Sequence, residues 1–124
     1  MSELVKATIT AEASVDLAVG EQVSITGAGT LGGLVKVGKK TTSTIFFGVV
    51  VEANASAGTS VLIAYAGQVL VKLGGTATVG SYAESNATAG TCENAEASDK
   101  AFGQFLASGA TGELIPMIIK ELTV

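Results

Sequence analysis

FFGVVVEANASAGTSVLIAYAG, from Phe46 to Gly67, carries the signal that decides the fold. Two apolar runs flank a cluster of Asn, Ala, Ser and Gly, which reads as strand, turn, strand. In the second limb, Val61, Ile63 and Tyr65 fall on one face of a period-two pattern. The first limb, IFFGVVVEA, is apolar on both faces, as expected of a strand buried on two sides.

The same alternation extends outward from this hairpin. Val69, Val71 and Leu73 share a face in QVLVKL, as do Val23 and Ile25 in QVSIT, and Val5, Ala7 and Ile9 in LVKATIT. The closing run from Leu114 to Leu122 also reads as a strand. Pro116 within it lacks a backbone donor, which places it at an edge or beside a bulge. Helix signals are weak, because Gly and Thr interrupt any 3.6-residue stripe. The stretch Ser98 to Phe105 is compatible with one short helix, and residues 84–99 read as loop-rich. The expectation is an all-β protein, a small barrel or sandwich of short strands with Gly-rich turns.

The opening hairpin has an echo. Phe47-Gly48 and the turn at Gly58 are matched by Phe102-Gly103 and a turn at Gly112. AVGEQVSI around Gly20 is matched by TVGSYAES around Gly80. The two Gly-to-Phe spacings, 27 and 22 residues, differ by a loop-sized insertion. Internal duplication and generic hairpin composition both account for this at the level of letters. Two such halves can close a barrel, which removes exposed sheet edges.

Composition narrows the function classes. The 124 residues are 48% apolar but only 5% aromatic, so the core must be built from Val, Ile, Leu and Ala. Eleven carboxylates against seven lysines, with no Arg, give a net charge near −4. That balance opposes binding to nucleic acid, which is dominated by cationic contacts to phosphate, and to anionic membrane surfaces. A mean hydropathy of +0.52 without a long apolar run points to surface buried against other copies or a partner. MSELVKATIT has no secretory h-region and Cys92 has no intrachain disulfide partner, so folding in a reducing cytoplasm is expected.

Reactive motifs are few, and each has a plainer reading. GAGTLG, Gly27 to Gly32, fits a dinucleotide fingerprint, but a strand-like LVKV follows where a helix should start. GLVKVGKK, Gly33 to Lys40, nearly fits a phosphate loop, but TTSTIFF follows it, so Gly38-Lys39-Lys40 reads as a basic turn. With no His, acid–base chemistry would fall to Glu93, Glu96 and Asp99, which sit in a polar segment without calcium-loop spacing. Cys92 has nothing nearby to activate it. Asn54-Ala55-Ser56 and Asn86-Ala87-Thr88 match glycosylation acceptors but read as turns. Of the six aromatics, only Tyr82 lies in a polar setting, and the other five read as core. No enzyme, metal site or cofactor is expected.

FGVVVEANASAGTSVLIAYAGQVLVKLGG followed by TVGSYAES resembles the capsid cement, or head decoration, proteins of tailed bacteriophages. The likeness is carried by Gly48-Val49-Val50, Ala55 to Gly58, Val61-Leu62-Ile63, Gly67-Gln68-Val69 and Val79-Gly80, with a weaker second round from Phe102-Gly103 to Ile119. It runs over residues 4 to 122, and the Gly27-to-Lys40 loop is longer than the family pattern. The resemblance implies a β-barrel that forms homotrimers on the outer capsid face and clamps the major capsid protein at capsomer junctions. Such a protein is made in the host cytoplasm and resides in the virion.

The expected contact residues are Glu3, Leu4, Val5, Lys6, Ala7, Thr8 and Ile9, with Lys39 and Lys40 as a second patch. Residues 1–15 form either an arm that adds to a neighbour's sheet or the first strand of their own barrel, beside Leu114 to Leu122. Residues 16–124 form the barrel domain. A carbohydrate-binding or host-adhesion module of a virion is the alternative function, using Tyr82 or the Glu93-to-Asp99 cluster.

Overall fold

The computed structural model describes residues 6–96 and 101–120, and every regular element among them is a strand. In chain order these are β1 (Lys6–Ala13), β2 (Gln22–Ala28), β3 (Val35–Lys39), β4 (Gly48–Val50) and β5 (Ser60–Lys72). They continue with β6 (Tyr82–Ser85), β7 (Cys92–Asn94), β8 (Gly103–Phe105) and β9 (Leu114–Ile119). The order β1-β3-β2-β4-β5 closes on itself through β1–β5 pairing, giving a five-stranded barrel. The sheet then runs on through β9-β8-β6-β7.

These extra strands repeat the barrel. β2 pairs with β3 and β4, and β6 pairs with β7 and β8. β4 pairs with the first half of β5, and β8 with β9. The parallel contact Ala13↔Val37 returns as Leu73↔Cys92, which closes the second ring. The bridge Leu17↔Ala55 returns as Ala77↔Gly109. Gly20 and Gly80 share φ near +90° (92° and 88°), as do Gly58 and Gly112 (85° and 91°). Of the two readings of the echo, internal repetition is therefore the one present. The spacing difference lies in the hairpins: β2 has seven residues and β6 only four.

β5 is 13 residues long because it serves both rings. Ser60 to Gly67 pairs with β1, and Gly67 to Lys72 pairs with β9. Each ring has its own apolar filling. Ala11, Ala13, Leu17, Val23, Val37, Val50, Val61 and Ile63 fill the first. Their repeat counterparts Val71, Leu73, Ala77, Ala83, Cys92, Phe105, Ile115 and Met117 fill the second. Volume is traded between positions: two Ala on β1 become Val71 and Leu73, while Leu17 and Val23 become Ala77 and Ala83.

β4 shows why FGVVV is apolar on both faces. Val50 joins the first ring's filling, while Val49 and Val51 join the second cluster, which continues into the seam between rings. Gly48 and Gly103 are repeat-equivalent places where neighbouring strands leave no room for a side chain. A Cβ on Gly48 would strike Ile63 Cγ2, and one on Gly103 would lie 2.5 Å from Met117 Sδ.

Several sequence expectations need correction. Gly103 to Phe105 is strand β8 and not part of a helix, because both β6 and β9 take up its backbone groups; Ser98 to Lys100 lie outside the described residues. The segment read as loop-rich, residues 84–99, holds the end of β6 and all of β7, strands of four and three residues that are too short to show a period, with loop between and after them among the described residues. Lys39 belongs to β3, and the turn falls at Thr41 to Thr44, so Gly38-Lys39-Lys40 is not the turn. Ile9 and Ile25 share the phase of the buried Ala11 and Val23 but are exposed, where β1 and β2 project past the ring, and for Ile9 this agrees with its expected place among the contact residues. β1 is the first strand of its own barrel and pairs with β5, not beside the closing run. Pro116 does sit where β8 runs out: its carbonyl accepts from Leu106 N–H at 3.0 Å, and its missing N–H faces the same side.

Candidate functional site

A concavity of about 770 Å³ lies on the seam between the two rings. One wall comes from the segment after β3, from Lys40 through Phe47, and the other from Ala101, Phe102, Ile119 and Lys120. Phe46 and Phe102 stack across the seam with centroids 4.4 Å apart and planes within 2°. Such a pair holds the rings together beyond its buried area. Ile45 stands at the rim, 86% exposed.

Lys40 is buried against this stack. Its ammonium lies 5.7 Å from the Phe102 ring centroid and donates to Thr41 O at 2.9 Å. Desolvation lowers its pKa below the usual lysine range. Lys120 Nζ donates to Gln104 Oε1 at 2.9 Å at the opposite side. Among the described residues, the lining offers hydroxyls, two ammoniums and aromatic carbon, but no carboxylate. That chemistry suits an apolar group carrying a negative charge.

The expected contact residues do not form one site. Glu3, Leu4 and Val5 lie outside the described residues. On β1, Lys6 and Ala7 are half-buried, while Thr8 and Ile9 face solvent. Lys6 lines a small pocket of about 120 Å³ with Val51 and Val69, apart from the groove that Lys40 lines. Lys39 turns away into an ion pair with Glu21 at 3.3 Å. The sequence reading did not single out Phe46, Phe102, Tyr65 and Lys120 as groove residues. Its core reading holds for Phe102 and, in part, for Phe46, which packs against the same cluster, but not for the exposed Tyr65.

The remaining motifs have structural roles. In GAGTLG, Glu12 accepts hydrogen bonds from the N–H groups of Thr30 (2.6 Å) and Leu31 (2.9 Å), with Lys36 at 3.8 Å. Those backbone donors, first Leu31 and then Thr30, hold the Glu12 carboxyl below its ordinary pKa. β3 follows the turn, and no helix does. Cys92 is fully buried, and desolvation followed by the Glu93 carboxylate pushes its thiol pKa up. Glu93 accepts from Asn86 Nδ2 at 2.8 Å, and Asp99 lies outside the described residues. No trio of His, Cys, Asp or Glu side chains converges among the described residues. Asn54 and Asn86 both cap turns, accepting from Val19 N–H and Thr88 N–H. Tyr82 is exposed as expected, and Tyr65 is exposed as well.

No family model matches the chain, and no curated protein matches its sequence. Among solved structures, the chain is similar to the crystal structure of the head fiber gp8.5 N base of bacteriophage phi29. The TM-score is 0.72 at 16% identity, over 97% of this chain and 98% of that one. The likeness therefore covers both rings. It establishes a shared fold.

Proposed function

We propose that this chain is a structural protein of a phage head, which binds the outer capsid surface at capsomer junctions as a homotrimer. The observation that carries this reading is the end-to-end likeness to the base of a phage head fiber protein. It agrees with the resemblance of FGVVVEANASAG and its echo to the cement proteins. In this reading the partner is the major capsid protein, the task is adhesive, and no catalysis, cofactor, nucleic acid or membrane is involved. The seam groove with Lys40, Phe46, Phe102 and Lys120 offers one contact, and the outer residues of β1 offer another. Several modest contacts on different capsid subunits act together once the first is made. They stabilise the shell by mass action on its assembled state.

The same likeness favours a second reading, in which the module is the base that anchors a longer fibre. Both readings require capsid binding. Co-sedimentation of purified protein with empty and DNA-filled capsids, with copies counted per capsid, tests them together. Saturable binding at a fixed copy number is expected. A protein that ignores capsids but binds glycans refutes both and favours an adhesion module.

A further inference from the structure

Repeat-equivalent positions differ sharply in burial at one place, the seam. Val51 is 7% exposed and its counterpart Leu106 is 41%. Gln22 is fully buried, while Tyr82 is 41% exposed. Ala64 is buried, and Ile118 is half-exposed. In the first ring these residues form an outer wall. That wall packs into one buried cluster with Val69, which sits where β5 enters the second ring. Val69 is 1% exposed, and its counterpart on β1 is Ile9 at 42%.

The seam is thus a head-to-tail contact, the wall of one ring against the entry of the next. A contact of this kind uses two different faces, so one unused copy of each remains at the ends of the tandem. The free wall, on the second ring, carries Tyr82, Leu106 and Ile118. The free entry, on the first ring, carries Ile9. Gln104, the counterpart of Val49, is the polar member of that wall; beside it Tyr82 and Leu106 present apolar side chains to solvent, as Ile9 does on the entry, in the manner of an interface core with polar groups among it.

We infer that the Leu106 wall of one chain packs on the Ile9 entry of a second copy, reproducing between chains the contact made within each. β5 runs unbroken through the internal seam, so the contact between chains keeps the two faces but not that strand continuity. Head-to-tail contacts either close into a ring or grow into a filament, and the mass decides which. The inference rests on the repeat alone and stands whether or not the protein binds capsids.

The test uses the full chain, with mass read by light scattering and native mass spectrometry. Wild type is expected to exceed the 12.3 kDa of one chain. Ile9→Glu and Leu106→Glu, each at an exposed site, are expected to weaken self-association by at least about 30-fold, as loss of an interface hot spot does. The exposed Val15→Glu, at a position whose repeat counterpart Gly75 is not buried, keeps the wild-type mass. An equimolar mixture of Ile9→Glu and Leu106→Glu retains one intact wall and one intact entry, so it forms a dimer that neither variant forms alone. Circular dichroism checks folding, and Ile9→Thr with Leu106→Gln repeats the experiment if a charged variant unfolds. A monomeric wild type, variants that assemble normally, a Val15→Glu that dissociates equally, or a mixture that stays monomeric each overturns the inference.

Discussion

Replacing Gly48 by Ala adds one methyl group at a position the two repeats share, and the surroundings decide its cost. The new Cβ would collide with Ile63 Cγ2 and lie 2.5 Å from the carbonyl oxygen of Ala64. Neither can yield easily, because Ile63 and Ala64 are fully buried and β5 is held there by β1 on one edge and β4 on the other. At Gly103 the nearest atoms are Met117 Sδ at 2.5 Å and Cε at 2.7 Å, with Ile118 O at 2.8 Å. A methionine tip can rotate away where a strand cannot. Overpacking typically costs about 1–3 kcal/mol, so Gly103→Ala belongs near 1 and Gly48→Ala near 3 on that scale. Reduced freedom of the unfolded chain returns roughly 0.4–1 kcal/mol in both cases and cancels in the comparison. With a urea slope of about 1–3 kcal/mol per M, Gly48→Ala should lower the unfolding midpoint by on the order of 1 M or more. Urea titration followed by circular dichroism reads both variants. A Gly48→Ala midpoint equal to or above that of Gly103→Ala would show that β4 and β5 are not packed as closely as the structure places them.

Other expectations follow from single groups. Cys92, buried with a raised pKa, should stay unlabelled by a thiol reagent in native protein and react fully in denaturant; rapid native labelling contradicts its place in the second ring. Glu12 has a lowered folded pKa, so its stabilising contribution is present above its ordinary pKa and lost as pH falls through the folded value. Glu12→Gln should therefore flatten the acid end of the stability profile and speed amide exchange at Thr30 and Leu31; an unchanged profile refutes the carboxylate's hold on that turn. Phe105→Ala empties the largest fully buried site of the second ring and should cost about 3–5 kcal/mol in thermal or urea unfolding. A loss below about 1 kcal/mol would mean that the ring collapses around the cavity.

Period-two patterning located β5, β9 and the twice-buried β4, because each is long enough or apolar enough for alternation to show. It failed at β6 and β7, where Tyr-Ala-Glu-Ser and Cys-Glu-Asn offer only three or four residues with no repeated apolar position. Nor could it show that Ile9 and Ile25 are exposed. Alternation reports which way a side chain points, but not how far a barrel wall extends before its interior ends. Ala11 and Val23 are buried on the same phase as their exposed neighbours two residues away. The seam groove was hidden for a related reason. Phe46 and Phe102 are 56 positions apart, and only the closure of both rings brings their planes together.

The repeat itself was half legible, and the reason is physical. Turn glycines survive duplication as letters because the backbone needs them, so Gly20 and Gly80 or Gly58 and Gly112 stand out. Ring fillings survive only as total volume. Ala13 and Leu73, or Leu17 and Ala77, are equivalent in place but opposite in size, which erases the match between sequences while preserving the packing. Surface positions are under neither constraint and are free to become polar, as Gln104 has against Val49. A repeat with no partner at its free wall would be expected to drift that way throughout. On that wall Gln104 has become polar while Tyr82, Leu106 and Ile118 beside it have not, which is what the inferred contact between copies requires of its apolar part.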